Sequence, residues 1–302
     1  MLPLRIGTRG SPLALWQANY VADRLRPLVA PRGVELVEIQ TAGDQVRDVP
    51  LAEMGGEGVF TKEIQRALLD GTVDVAVHSL KDLPTIPVEG IVLAAVPVRG
   101  PAGDVFVSLR HKSFDLLPLG AKVATSSLRR RAQTLYRRPD LTLLDIRGNV
   151  ETRVRKLSEQ GLDGLILAHA GLERLGLGHV ITEMLDPSWM LPAVGQGALG
   201  LECRASDRPT LDLLEPLNDV STRLSVLAER AMLRALQGGC QVPIGVTSQV
   251  QGATLTLRGV VLQPDGTRRV EHAFTGPLAD AESLGNKLAS ELLGRGARAL
   301  LT

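Results

Sequence analysis

Up to about residue 200, short β-rich runs alternate with helical patterns, and this alternation limits the folds open to the chain. Leu4–Thr8 reads as a strand, with Ser11 as a helix N-cap and Pro12 at the first helical position. That helix carries Leu15, Trp16 and Leu25 and is expected to falter near Pro27. Val34–Gln40, Val73–Val77 and Ile91–Val98 read as further strands, and a helix begins at Thr61 and ends at Gly71. After a break near Arg99–Gly103 the pattern repeats. Lys122–Thr125 is a strand, Ser126 or Ser127 caps an Arg-rich helix, and Leu141–Ile146 is a strand. Val150–Gln160 is a helix closed by Gly161, and Leu165–Ala168 is a strand. Such alternation implies parallel sheets with helices on both faces, hence two similar α/β domains.

The last third reads differently. Val220–Gln237 is a long amphipathic helix ending at Gly238-Gly239. Ile244–Gln249, Thr254–Leu262 and Arg268–Thr275 form antiparallel strands with a turn at Gln263–Gly266, and Asp280–Leu293 is a closing helix. This is a small α+β domain. The full 302 residues exceed one ordinary core, which agrees with several domains.

Composition narrows the function. Thirty-four Lys and Arg against 33 Asp and Glu leave a net charge of +1, and aromatics are 3%, which argues against a nucleic-acid binder. Two cysteines, Cys203 and Cys240, are too few for a disulfide scaffold and point to a reducing, cytoplasmic setting. The N-terminus reads as a strand entering a turn, not as a signal peptide, and no run of about 18 apolar residues predicts a membrane span. No Cys/His spacing fits a zinc site.

The charge is unevenly spread. Residues 121–160 hold ten basic and four acidic side chains, so +6 falls there and −5 on the rest. Three strand-to-helix turns carry Arg, hydroxyls or helix N-terminal N–H groups suited to anions: Thr8–Ser11, Thr125–Arg130 and Arg147–Val150. The alternatives are plain capping and a solvated helix face; Arg138, outside the turn, is expected to be such a solvated charge. The segment His78–Pro84 directly follows a buried strand, where α/β sheets bind ligands. Spacing leaves Asp82 either as a functional carboxylate beside Lys81 or as a turn cap paired with it. Cys240 sits on a glycine-flanked loop that presents its thiol, whereas Cys203 reads as a core thiol. Gly55-Gly56-Glu57-Gly58 reads as a mobile cover, and Gly195-Gln196-Gly197 as a weak glycine motif.

Six segments in order resemble the porphobilinogen deaminase (hydroxymethylbilane synthase) family across nearly the whole chain. They are Arg5–Ala14, His78–Pro84, Thr125–Arg130, Ile146–Val150, Pro192–Ala198 and Gly238–Pro243. The resemblance implies two α/β domains like the lobes of periplasmic binding proteins, with the active site in their cleft, and a third domain bearing the cysteine. The boundaries it implies are 1–98 with 198–217, then 99–197, then 218–302. It implies a monomer that joins four porphobilinogen molecules head to tail, losing one ammonia each time, on a covalent dipyrromethane cofactor. Water then releases hydroxymethylbilane.

By the same resemblance, Cys240 is the thioether attachment and Asp82 the catalytic carboxylate. Lys81, Ser127, Arg129, Arg130, Arg153 and Gln196 match cofactor-binding positions. Arg9, Ser11, Arg147 and Arg174 match substrate-binding ones. Each pyrrole carries an acetate and a propionate, which accounts for the Arg excess. One departure is Glu57, where many relatives carry Lys; it puts an anion-binding role for that segment in doubt. The competing class is a non-enzymatic two-lobed binder of a small polyanion, which leaves Cys240 on its glycine loop without a purpose.

Overall fold

Hydrophobic periodicity and cap chemistry set most of the observed elements. The computed structural model describes residues 2–45, 58–238 and 242–301. The described elements begin with β1 (Leu4–Thr8), α1 (Pro12–Val29), β2 (Val34–Glu38), α2 (Ala42–Gln45), α3 (Lys62–Leu69), β3 (Val75–Ser79) and β4 (Ile91–Ala95). There follow β5 (Asp104–Val107), β6 (Lys122–Ala124), α4 (Leu128–Arg137), β7 (Thr142–Leu144), α5 (Val150–Glu159), β8 (Gly164–Ala168), α6 (His169–Arg174) and β9 (Glu183–Met184). The chain continues through β10 (Leu199–Arg204), α7 (Arg208–Leu214), α8 (Val220–Ala235), β11 (Ile244–Gln251), β12 (Thr254–Leu262), β13 (Arg269–Pro277) and α9 (Ala281–Gly294).

The chain divides into two compact units, Met1–Gly100 with Ala198–Arg223, and Pro101–Gly197 with Leu224–Thr302. In the first unit the sheet order is β2-β1-β3-β10-β4. β1 lies parallel to β2 and β3, while β10 runs antiparallel to both β3 and β4. In the second unit the order β7-β6-β8-β5-β9 repeats this plan, with β5 antiparallel to both its neighbours. The α/β class therefore holds, but the sheets are mixed rather than parallel. Each reversed strand is the first one after the chain passes between units, and neither was expected from local pattern.

Alternation along the strands sorts side chains by face. Leu199, Leu201 and Cys203 of β10 join Val75 and Val77 of β3, together with Ala18, Val21 and Leu25 of α1, in one core. Ile64 and Leu68 of α3 pack with Ala76 on the opposite face. Pro27 does not end α1, which runs on to Val29. One missing backbone donor near the C-terminus is outweighed by the buried stripe Gln17, Ala18, Val21, Ala22 and Leu25. β3 is set two residues later than expected, because Val73 N–H still donates to the Ala67 carbonyl of α3 at 3.2 Å and pairing with β1 begins only at Val75.

The remainder of the second unit is an antiparallel meander, β11-β12-β13, with its own core shared with α8 and α9. The turn closes through Gly266 N–H donating to the Gln263 carbonyl at 2.9 Å. Gly266 has φ 76° and lies against α4, where a Cβ would come within 2.6 Å of the Leu135 side chain and the Tyr136 backbone nitrogen. Ala132 of α4, Leu191, Val260 and Leu262 form a small core across this junction. The meander is thus packed onto the helix that carries the basic turn.

Candidate functional site

Asp82 closes a single 3-10 turn, Leu80–Asp82, directly after β3. Leu83 N–H returns to the Leu80 carbonyl at 3.2 Å, and Leu80 N–H donates to the Ala198 carbonyl at 3.0 Å. The turn is therefore held by the residue that leads into β10. A Cβ at Gly200 would meet Leu80 Cδ1 at 2.8 Å, so this glycine lets the turn fold down onto the sheet. The turn's N-cap position is Ser79, whose side chain makes no capping bond and instead exchanges hydrogen bonds with Gln17 at 2.8 and 3.1 Å. Asp82 and Lys81 are both half-buried.

The basic turn before α4 is built more deeply. Ser127 is the N-cap, and its Oγ accepts from Arg130 N–H at 3.4 Å. Ser126 accepts instead from Ile146 N–H at 3.1 Å and so ties the turn to the segment after β7. Between the two serines left open by the sequence, Ser127 is the cap.

Arg129 and Arg130 are 4% and 6% exposed, and both reach Asp104, the first residue of β5, which is 1% exposed. Arg129 Nη1 lies 2.6 Å from Asp104 Oδ2, and Arg130 Nη2 lies 2.8 Å from Oδ1. Arg129 Nη1 also donates to the Leu191 carbonyl at 2.6 Å, and Arg130 Nη1 to the Ile166 carbonyl at 3.1 Å. Gln196 donates to Asp104 Oδ1 at 3.0 Å and to the Ala102 carbonyl at 2.6 Å.

Burial alone would raise the Asp104 carboxyl. The charges of Arg129 and Arg130, with bonds from Arg129 and Gln196, hold it down at about 2. Burial also pushes the Arg130 guanidinium below its ordinary value, against the opposing pull of Asp104. Two guanidinium groups against one carboxylate leave one positive charge in surplus. Arg129 Nε is buried with no hydrogen-bond partner. A buried donor without a partner and an unbalanced cation both suit a carboxylate-bearing group.

Around this cluster, Gly195 and Gly197 take φ values of 68° and 85°, which turns the weak glycine motif into a tight bend presenting Gln196. Arg174 Nη2 donates to the Gly197 carbonyl at 2.7 Å. Gly195 N–H donates at 2.7 Å to Glu229 of α8, a fully buried carboxylate. At the start of α5, Asn149 is the N-cap, Arg153 Nε donates to the Gly148 carbonyl at 2.8 Å, and Lys156 Nζ to the Arg147 carbonyl at 3.0 Å. Arg147 is half-buried. In the first unit, Ser11 Oγ accepts from Ala14 N–H at 3.3 Å as the cap of α1, and the Arg9 guanidinium lies 4.1 Å from the centre of the Phe60 ring.

The structure thus gathers Ser127, Arg129, Arg130, Gln196 and Arg174 along one connected set of contacts, and Arg147 with Arg153 at another turn. Ser11, Arg9, Lys81 and Asp82 belong to the first unit. Cys240 and Gly55-Gly56-Glu57 lie outside the described residues. Cys203 is a buried core thiol, pushed up to about 11 chiefly by that burial. Arg138 is not a solvated charge. Its side chain is 18% exposed and pairs with Asp140 at 2.7 Å while donating to the Leu117 carbonyl. Sequence reasoning missed Asp104 and Glu229. A lone carboxylate opening the apolar run Asp104–Val107 was the available signal for the first.

Two family descriptions match. "Porphobilinogen deaminase, dipyromethane cofactor binding domain" covers residues 4–212, and "Porphobilinogen deaminase, C-terminal domain" covers residues 223–294. Porphobilinogen deaminase of Syntrophotalea carbinolica is 51% identical over 298 residues, 99% of this chain and 95% of that protein. That of Geobacter sulfurreducens is also 51% identical, over 99% of this chain and 93% of its own. A solved periplasmic substrate-binding protein of an ABC transporter from Coxiella burnetii aligns over 75% of this chain and 96% of its own, at 15% identity and a TM-score of 0.45.

Proposed function

The chain belongs to the porphobilinogen deaminase family, and from that premise we propose how its own residues divide the work. It is a transferase of tetrapyrrole biosynthesis that makes hydroxymethylbilane from porphobilinogen and uses a dipyrromethane cofactor. The bound dipyrromethane supplies the pyrrole end to which substrate units are joined. Cys240 is proposed as its thioether attachment, favoured because the other cysteine, Cys203, is a buried thiol with a raised pKa.

One observation carries the assignment of the carboxylate pocket: the buried cluster of Arg129, Arg130 and Asp104, with its surplus positive charge and the unpartnered Arg129 Nε. These residues fit a group bearing carboxylates. Asp104 and Gln196 fix the guanidiniums from within the protein, so little side-chain order is lost on binding. Ser127 adds a polar contact and Arg153 a cation at the start of α5, while Lys81 is assigned to the cofactor by its match to the family alone. Arg9, Ser11, Arg147 and Arg174 are assigned to the acetate and propionate groups of incoming substrate.

Asp82 is proposed as the catalytic carboxylate. When porphobilinogen loses ammonia, positive charge develops over its pyrrole and exocyclic methylene. An ionised carboxylate bonded to the pyrrole N–H stabilises that charge. After the new carbon–carbon bond forms, the same group helps remove the α-proton and restore the aromatic ring. The short turn that Gly200 accommodates gives Asp82 a fixed place for this role.

The three separate sheets support domains at 1–98 with 198–217, 99–197 and 218–302. Among the described residues no helix is long and apolar enough to cross a membrane. We place the enzyme in the cytoplasm as a monomer, on its cysteine usage and the setting of its chemistry. Intact mass spectrometry before and after adding porphobilinogen tests the whole reading. Covalent pyrrole on the purified protein, followed by species heavier by whole pyrrole units, is the expected result. An active protein without covalent pyrrole would overturn it.

A further inference from the structure

Beneath the Asp82 turn lies a buried polar group that the chemistry above does not use. Glu202 of β10 is 6% exposed, and both of its carboxylate oxygens accept from Gln65 Nε2 of α3, at 3.0 and 3.2 Å. His78 of β3 is 5% exposed, and its Nε2 lies 3.1 Å from Glu202 Oε2, close but off the hydrogen-bonding line. Among the described residues His78 is the one cationisable side chain within ion-pair distance of Glu202. A carboxylate withdrawn this far from water is unfavourable unless its partners hold it. Leucine or valine would fill such a place at lower cost.

Register places the group along a line. His78 stands opposite Gly200, and Glu202 is two residues further along β10, on the same face. That face carries α3, and Gly200 is where Leu80 of the turn presses on the sheet, with Leu83 close by. Gln65, Glu202 and His78 thus run from α3 to the root of the segment His78–Asp82. A rotation of His78 would be felt two residues on at Leu80, and from there at Asp82.

We propose that Glu202 is a positioning residue for the Asp82 carboxylate, acting through His78. This rests on the role assigned to Asp82. Gln65 holds Glu202, whose carboxylate stands 3.1 Å from His78 Nε2 and limits where the ring can sit, so the strand end enters the turn at one angle. The consequence is kinetic. A misdirected Asp82 still lies beside bound substrate but opposes the developing charge less well, so turnover falls while binding persists.

The test compares Glu202→Leu, Glu202→Gln and Asp82→Asn in the cofactor-bearing enzyme, reading kcat, KM and covalent pyrrole by intact mass. Misplacement of a reacting group costs up to roughly 100-fold, so Glu202→Leu is expected to lower kcat by about 10- to 100-fold with KM changed less than about twofold and full pyrrole content. Glu202→Gln keeps acceptor and shape and is expected to recover most of the loss. A Glu202→Leu enzyme with unchanged kcat, or with raised KM alone, overturns the proposal. So does loss of pyrrole or of folding that Glu202→Gln does not rescue, because the role would then be structural. Slow Asp82→Asn beside normal Glu202→Leu removes this inference alone. Normal turnover in Asp82→Asn removes the reading of Asp82 and this inference with it.

Discussion

Asp104 Oδ2 lies 2.6 Å from Arg129 Nη1, and both side chains are almost wholly buried. The arginine that the sequence marks as a ligand for an external carboxylate is therefore already engaged by an internal one. Asp104 also meets Arg130, so it fixes the direction of both guanidiniums while leaving their charge incompletely balanced.

Removing the Asp104 charge is expected to cost more than one hydrogen bond. Breaking a buried ion pair from one side typically costs about 3–5 kcal/mol, which is the loss expected for Asp104→Asn in denaturant unfolding near neutral pH. The folded-state carboxyl sits at about 2 against an ordinary 3.8. Its contribution is complete above about pH 4 and is lost as pH falls through about 2. The gap between wild type and Asp104→Asn should then stay level from neutrality to about pH 5 and narrow below about pH 4. A gap independent of pH down to about 2 would show that Asp104 is not held ionised.

Asp82→Asn is expected to fold, retain covalent pyrrole and turn over roughly 10²–10³ times more slowly, the usual loss for one aimed electrostatic group. Amide in place of carboxylate keeps the shape of the turn but withdraws the charge that opposes the developing cation. Steady-state rates equal to wild type would remove Asp82 from the mechanism.

The two cysteines should separate cleanly. Cys203→Ala removes a buried core thiol beside Leu201 and should lower stability modestly, by about 1 kcal/mol, while covalent pyrrole content stays full. Cys240→Ala should purify without covalent pyrrole. Peptide mapping that located the adduct at Cys203 would reverse the assignment.

Arginine substitutions should split by environment. A charge-assisted Arg–carboxylate contact contributes about 1.5–3 kcal/mol, so Arg147→Leu or Arg174→Leu should weaken a binding step by roughly 10- to 150-fold. Accumulation of enzyme carrying one, two or three added pyrroles, followed by mass, reports the step. Arg129→Leu should instead reduce the covalent pyrrole present at purification and leave Asp104 short of a partner. The right control is Arg155, whose side chain is 68% exposed in a pair with Glu159 and contributes at most about 1 kcal/mol. Arg138 cannot serve, since it anchors Asp140 and the Leu117 carbonyl. Equal impairment in Arg155→Leu and Arg147→Leu would mean that the basic stretch acts as a diffuse field.

Sequence alone determined what depends on a few neighbouring residues. Ser11 caps the helix expected of it, Ser127 is one of the two caps that the sequence left open, and the meander from β11 to β13 follows from alternation and the Gln263–Gly266 turn. The six ordered segments carried the family because side-chain chemistry at a turn is written in consecutive residues. Tertiary structure decided what depends on where the chain returns. The sense of β5 and β10 follows from the passage between units, which no local period encodes. Asp104 meets Arg129 from 25 positions away, and Gln65 meets Glu202 from 137. A buried charge persists only where distant partners compensate its lost hydration, so its role becomes visible only when the fold has brought those partners together.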